Sequence, residues 1–354
     1  MGRRVVVWGT GNIGRPALRA VLSHRDLELV GVVVSSEAKR GRDAGELCDR
    51  PACGVSASGS LEEAIGAGAD AVAYTASGDF RPAEAQADVL ACLRAGLNVV
   101  TPAIYPLLHP ASAPQKLRET YEAACRAGGA SIFASGIDPG WAQDVLPLLL
   151  CGVSSAIEAV RIQEIFNYET YHQPQAVREL VGLGGPLDRP PPMLLPSVPT
   201  LIWGGMLRTL ADGLGFELEG IDEHVETRPL SRNLDIPGMG RFEAGSLGAF
   251  RFEVRGRARG RDVLVIEHVT RICDDVAPEW PTSETKGCHR VIVEGRPRLH
   301  VTIEADDGTA NPAEGGNATA AARLVNAIPA VCAAPPGILG ALGLPTPTGR
   351  GQVL

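Results

Sequence analysis

Three glycines near the start of the chain, Gly9, Gly11 and Gly14, fall at G-x-G-x-x-G spacing. They follow the β-branched run Val5-Val6-Val7 and precede a helix-forming stretch that begins near Ile13. In that context Gly9 makes a tight turn, Gly11 lets a pyrophosphate approach the main chain, and Gly14 lets helix and strand pack closely. Anionic phosphates would sit over Thr10, Asn12 and Ile13, where a helix N-terminus offers N–H groups and the positive end of its dipole. The chemistry this spacing predicts is the binding of a dinucleotide redox cofactor. The alternative is an α/β domain that keeps its glycines for turn geometry alone.

The second predicted strand ends in Val34-Ser35-Ser36-Glu37. An acidic residue closing that strand bonds the 2′-hydroxyl of the adenosine ribose and selects NAD. Here Ser35 and Ser36 stand beside Lys39, Arg40 and Arg42, a setting that suits a 2′-phosphate, so NADP is the favoured cofactor, with NAD left open by Glu37. A solvated basic loop is the plainer reading of the same cations. Thr75-Ala76-Ser77 and Thr101-Pro102 follow the next two predicted strands of the crevice wall. Small residues there let the nicotinamide half lie against the backbone, or they are ordinary turns.

These loops need a parallel sheet to position them. Strands are expected at Arg4–Trp8, Leu27–Val34, Ala71–Tyr74, Asn98–Thr101 and Ser131–Ala134, with helices beginning near Ile13, Leu61, Pro82 and Ala113. That alternation is the rhythm of a doubly wound α/β sheet of Rossmann type. A hydrophobic helix follows at Val145–Leu150, then a proline-rich stretch from Pro186 to Pro199. Beyond Phe242, alternating segments at Gly248–Arg255, Asp262–Ile272, Arg290–Val293 and Leu299–Glu304 predict a mostly antiparallel sheet with one wet face. The alanine-rich run Gly315–Ala334 reads as a helix stopped by Pro335-Pro336-Gly337, and the segment after it as a loosely packed extension.

The 354 residues suffice for two domains. Charged residues make up 21% and hydrophobic ones 45%, and no apolar run reaches the roughly 18 residues a membrane span needs. The N-terminus carries no signal-peptide pattern, so the expectation is a cytoplasmic protein without a membrane partner. A net charge of −8, with acids and bases interspersed, argues against nucleic acid. Eight cysteines form no Cys-x-x-Cys pair and the seven histidines are dispersed, so the cysteines read as reduced thiols and no metal is expected.

At Ala134-Ser135-Gly136-Ile137-Asp138-Pro139-Gly140-Trp141 and Asp144-Val145-Leu146-Pro147 the chain resembles a known family. It is similar to the group of 2,4-diaminopentanoate dehydrogenases and native NAD(P)-dependent amine dehydrogenases, whose N-terminal domain is like that of dihydrodipicolinate reductase. Trp8–Arg15, Lys39–Leu47, Leu210–Glu219, Ala277–Pro281 and Asn326–Gly337 extend the resemblance almost end to end. It implies a Rossmann domain over residues 1–140 and an inserted α+β domain over 141–312 that binds substrate and forms a homodimer through its sheet. It also implies a closing helix and tail, 313–354, that return to the first domain. The implied chemistry is reversible hydride transfer at a carbon bearing nitrogen or oxygen.

In the family, the loop corresponding to Thr101–Pro110 carries a glutamate that positions ammonia. Here that loop reads Thr-Pro-Ala-Ile-Tyr-Pro-Leu-Leu-His-Pro and has no carboxylate. The His-His pair and lysine of the dihydrodipicolinate reductases are also absent, which argues against that reaction.

Three residues are candidates for catalysis. Asp138 can bond the nicotinamide amide, serve as an acid/base or simply form the turn before Pro139-Gly140. Tyr105 can protonate a carbonyl oxygen or pack beside Pro106. His172, with Tyr168 and Tyr171, forms a polar-aromatic rim over the nicotinamide if Ile162–Phe166 is a strand pointing at the cleft, or belongs to a surface loop. Pro139 joins the cofactor-binding set. Trp141, Trp203 and Met206 suit an apolar substrate wall, or core. Asp144 reads as a helix cap. The reading is an NAD(P)-dependent, amine dehydrogenase-like oxidoreductase acting on a carbonyl, imine or amine of a small, mainly apolar molecule. The alternative, kept open by the missing loop glutamate, is a catalytically silent dinucleotide-binding sensor or scaffold.

Overall fold

The computed structural model describes residues 2–66, 68–171, 173–306, 308, 312–346 and 348–353. It forms two compact units, residues 1–141 with 317–354 and residues 142–316.

The first unit is built on β1 (Arg3–Trp8), β2 (Leu27–Val33), β3 (Ala57–Ser58), β4 (Ala71–Tyr74), β5 (Asn98–Thr101) and β6 (Ser131–Ala134). Its helices are α1 (Gly14–Ser23), α2 (Ala44–Leu47), α3 (Leu61–Gly66), α4 (Pro82–Arg94) and α5 (Gln115–Gly128). All strand pairs are parallel, in the order β6-β5-β4-β1-β2-β3. Val5, Val6, Val7, Val72 and Val99 are fully buried, as strands covered by helices on both faces require. Pro82 opens α4 at a position whose missing N–H costs no hydrogen bond, and Gly129 closes α5 in the left-handed conformation, φ 66°.

The second unit begins with α6 (Val145–Cys151), which the Asp144 carboxylate caps by accepting from the Val145 N–H. Its sheet is formed by β7 (Ala156–Asn167), β8 (Gly220–Pro229), β11 (Leu247–Ala258), β12 (Arg261–Arg271), β13 (Gly287–Arg296) and β14 (Leu299–Ile303), with β9 (Leu234–Ile236) and β10 (Gly240–Phe242) as a separate hairpin. The order is β14-β13-β7-β12-β11-β8; every pair is antiparallel except β7–β12, so the sheet is mixed. Helix α7 (Val198–Leu214) packs on one face through Trp203, whose ring lies 4.9 Å from that of Phe252.

The chain re-enters the first unit within α8 (Pro312–Ala333) and then forms β15 (Gly337–Leu339), which pairs in parallel with Ser131–Phe133 and makes the first sheet seven-stranded. This corrects the expectation of a loose extension. The tail has polar main-chain partners: the Gly337 N–H donates to the Ala130 carbonyl and the Arg25 N–H to the Gly351 carbonyl. Trp203 and Met206 are core residues rather than an exposed wall, buried because α7 turns them onto the second sheet.

Candidate functional site

Parallel strands bring their C-terminal ends to one edge, and the order β6-β5-β4-β1-β2 sets five loops side by side there. They are the segment after Ala134, the loop from Thr101, the Thr75-Ala76-Ser77 turn, the glycine turn and Ser35-Ser36. Most first-domain residues singled out from the sequence, including Tyr105, Asp138 and Pro139, lie on these loops.

The glycine turn separates structural from open positions. Gly9 has φ 102° and leads into Gly14, where a Cβ would stand 2.1 Å from the Gly9 carbonyl oxygen. Thr75 braces the same turn: its N–H and hydroxyl both donate to the Trp8 carbonyl, at 2.7 and 2.9 Å. At Gly11, in contrast, an added Cβ meets nothing within 4 Å. Among the described residues nothing demands a glycine there, and the main chain stands open to a ligand. Ile13, at the start of α1, makes no side-chain cap, and no acidic residue occupies the first turn, so the helix end can receive an anion.

Lys39 reaches back from the loop after β2 to this turn, its Nζ donating to the Thr10 carbonyl at 3.1 Å and to Thr10 Oγ1 at 3.0 Å. Ser35 and Ser36 are exposed beside it. This edge can therefore meet the phosphates of a dinucleotide over the turn. The residues fit a dinucleotide.

Thr101 is buried, and its hydroxyl accepts from the Ala103 N–H at 3.1 Å, shaping the next loop. In that loop the Tyr105 hydroxyl donates to Asp79 Oδ1 at 2.7 Å, so a carboxylate from the neighbouring loop stands where the Tyr105 loop has none of its own. Asp138 precedes Pro139 across a cis peptide bond in a half-buried turn. Trp141 is half-buried at the end of the unit. A residue not expected from the sequence also reaches this edge. Arg323 of α8 is buried, donates from Nε to Ser135 Oγ at 3.3 Å and lies 4.9 Å over the Phe133 ring. Its signal was an arginine set into an alanine-rich apolar stripe.

In the second unit, β7 does include Ile162–Phe166. Tyr168 and Tyr171 follow it with ring centroids 5.0 Å apart, both half-buried. His172 lies outside the described residues. The tyrosine segment is anchored at its start: Asn167 accepts from the Glu169 N–H at 2.8 Å and donates to Asp274 Oδ1 at 2.6 Å. Burial pushes the Asp274 carboxyl up, but hydrogen bonds from Lys286 and Asn167 outweigh it and hold the group below the ordinary aspartate range.

The sheet also assembles a cluster that chain order concealed. Register places His289 opposite Glu164 and Glu164 opposite His268, on the adjacent strands β13, β7 and β12. His268 Nδ1 is 2.9 Å from Glu164 Oε2. Phe252 stacks on the His268 ring at 4.6 Å, and Trp203 lies 4.4 Å from it.

Comparison with known proteins accounts for both units. The profile of the dihydrodipicolinate reductase N-terminus matches residues 3–101, and that of the 2,4-diaminopentanoate dehydrogenase C-terminal domain matches residues 204–352. A protein of Streptomyces virginiae named amine dehydrogenase is 52% identical over 344 residues, covering 96% of this chain and 95% of its own. The chain belongs to the amine dehydrogenase family. As a member it is an NAD(P)-dependent oxidoreductase with a nicotinamide cofactor and a small-molecule substrate. The fold agrees. The amine dehydrogenase of Mycobacterium smegmatis superposes with a TM-score of 0.77 at 21% identity, covering 100% of this chain and 99% of that one. Biliverdin reductase of Synechocystis sp. PCC 6803, solved with biliverdin and NADP+, gives 0.51 at 12% identity over 94% and 99%. Among the described residues no helix is long and apolar enough to cross a membrane.

Proposed function

We propose that this chain is an NADP-preferring amine dehydrogenase that reversibly converts a small, mainly apolar ketone or aldehyde and ammonia into a primary amine. The observation that carries the reading is the 52% identity, over 96% of the chain, with a protein named amine dehydrogenase. The glycine turn supports the cofactor: Thr10, Gly11, Asn12 and Ile13 offer main-chain donors to the pyrophosphate, while Gly9 and Gly14 fix the turn. Ser35 and Ser36 meet the ribose 2′-phosphate, and Lys39, already held at Thr10, neutralises it. Thr75 and Thr101 shape the crevice, and Ala76, Ser77, Pro102 and Pro139 shoulder the nicotinamide half. The bound nicotinamide supplies or accepts the hydride. Asp138 orients the nicotinamide amide, Tyr105 presents a hydroxyl to the substrate oxygen, and Trp141, Tyr168 and Tyr171 bind the apolar body of the substrate.

The enzyme works as a cytoplasmic homodimer. Support for the dimer comes from the sheet face opposite α7, where Arg251 and Arg161 keep 24% and 33% of their side chains exposed among buried glutamates. Such a face of alternating sign is self-complementary across a two-fold axis. Size-exclusion chromatography with light scattering should give twice the chain mass of 37.1 kDa, and a monomer would remove this part of the proposal.

The deciding experiment follows NADPH and NADH oxidation by the purified protein against a panel of ketones and aldehydes, with and without ammonium. The expected result is NADPH oxidation that requires ammonium. Turnover indifferent to ammonium would make the protein a carbonyl reductase. Ser35→Asp should move the NADP/NAD preference toward NAD by about tenfold, the value of one charge-assisted hydrogen bond. An unaltered ratio would show that the serines do not meet the ribose.

A further inference from the structure

The face of the second sheet beneath α7 is apolar along most strands. β7 contributes Val160 and Ile162, β11 Phe250 and Val254, β12 Leu264 and Ile266, and β13 Val291, all buried. One row across this face is polar: His289, Glu164 and His268 stand directly opposite one another on three neighbouring strands. Polar groups are placed on such a face at a desolvation cost, and they persist where hydrogen bonds or a ligand satisfy them. His268 meets part of that need by its 2.9 Å contact with Glu164. The His289 ring is 5% exposed and lies edge-on to Phe166 with centroids 5.4 Å apart, and among the described residues its buried Nε2 has no hydrogen-bond partner.

A ring nitrogen of His289 and a carboxylate oxygen of Glu164 lie within 4.8 Å of each other. Both groups are hydrogen-bond acceptors when Glu164 is ionised and the ring nitrogen is unprotonated, so the pair can receive N–H bonds from one small donor. Glu164 keeps 20% of its side chain exposed, which leaves an approach to it.

We propose that Glu164, with His289 beside it and His268 behind it, is the site at which this enzyme binds the substrate's nitrogen, as ammonium or as the primary ammonium group of the amine. The assignment rests on the amine dehydrogenase reading and deepens it by naming a proton acceptor that the loop Thr101–Pro110 does not supply. Ammonium donates N–H bonds to Glu164 and His289 and passes one proton to the Glu164 carboxylate. The ammonia so formed adds to the carbonyl carbon, forming the C–N bond as the carbonyl π pair moves to oxygen. That oxygen takes up the proton from Glu164 and one from the nitrogen and leaves as water, giving the protonated imine. The carbon–nitrogen double bond so formed carries the positive charge of an iminium, and its carbon receives the hydride to give the neutral amine with no further proton; in the oxidative direction each transfer reverses. His268 is a positioning residue: its ring, stacked on Phe252 and held by a tilted contact with Trp203, fixes the carboxylate orientation.

The test compares wild type, Glu164→Gln, Glu164→Asp and His289→Asn by ammonium-saturation kinetics with NADPH and the best ketone of the panel. NADPH affinity and melting temperature are measured alongside. Glu164→Gln should lower kcat/KM for ammonium by about 100-fold, the usual weight of a positioned acid/base, and leave the NADPH Kd within about twofold. Glu164→Asp should retain part of the activity. His289→Asn should act mainly on the KM for ammonium, by about tenfold, a split that loss of packing alone would not give. Wild-type turnover that survives in Glu164→Gln overturns the inference and leaves the amine dehydrogenase reading standing. A wild type that reduces ketones without using ammonium overturns both. If Glu164→Gln fails to fold, the Glu164→Asp and His289→Asn constants decide: both at the wild-type value count against the site.

Discussion

The two faces of the second sheet hold their carboxylates in opposite ways. On one, Glu253 is bonded by Arg161 at 2.6 Å and Arg251 at 2.9 Å and also by Arg255, and Glu267 is bonded by Arg161, Arg251 and Gln163. On the other, Glu164 is bonded by a histidine. A guanidinium keeps its charge at any accessible pH and clamps a carboxylate in the ionised form, whereas an imidazole can give up or take a proton under physiological conditions. The first arrangement holds structure, and the second is the one that the nitrogen site proposed above would use. The glycine turn of the other unit divides similarly: Gly14 answers to the protein, since its neighbours leave no room for a Cβ, while Gly11 answers to nothing in the protein.

Substitutions on the two faces and at the two glycines should differ in their cost to stability. Gly14→Val should cost most, about 3 kcal/mol or more, because a Cβ 2.1 Å from a carbonyl oxygen forces the main chain to move. Arg161→Met should come next, at about 2 kcal/mol. That is less than for a fully buried pair, since a third of the Arg161 side chain is exposed and Arg251 remains on both glutamates. Glu164→Gln should cost about 1 kcal/mol, the value of one hydrogen bond, whereas its expected effect is on turnover. Gly11→Val should stay within about 0.5 kcal/mol yet abolish dinucleotide binding in a titration. Urea melts of the four variants give the order. Glu164→Gln falling as far as Arg161→Met would erase the distinction between the faces, and unchanged cofactor affinity in Gly11→Val would erase that between the glycines.

Burial pushes the Glu253 carboxyl up, but the bonds and charges of Arg161 and Arg255 outweigh it and hold the group below the ordinary glutamate range. A carboxyl lowered on folding stabilises the protein above its unfolded pKa, and that contribution is lost as pH falls through the folded value. Acid unfolding of Arg161→Met, followed by circular dichroism, should therefore begin at higher pH than in wild type. Coincident acid limbs would mean that Arg161 does not hold Glu253.

What could be read from the sequence follows from how far each feature reaches along the chain. The glycine turn needs only residues 9–14 with the strand and helix beside them, and Pro82 marks its own helix. Helix α7 is not legible in the sequence because Pro199 and three glycines, 204, 205 and 213, weaken its local signal, and packing of Trp203 overrides that weakness. Strand β8 reads Gly-Ile-Asp-Glu-His-Val-Glu-Thr-Arg-Pro, where charge masks the alternation. The row of Glu164, His268 and His289 exists only once strand register is fixed, and no local spacing encodes it.

The late strand β15 bears on how the chain is made. Ser131 and Pro335, joined by a hydrogen bond, are 204 residues apart, so the edge of β6 emerges from the ribosome long before the residues that cover it. Throughout synthesis of the inserted unit that edge presents unpaired main-chain groups to any other nascent strand. The first unit cannot complete its sheet until Gly337–Leu339 have been made, and a chain released before that point would carry an intact glycine turn on a sheet with an open, adhesive border.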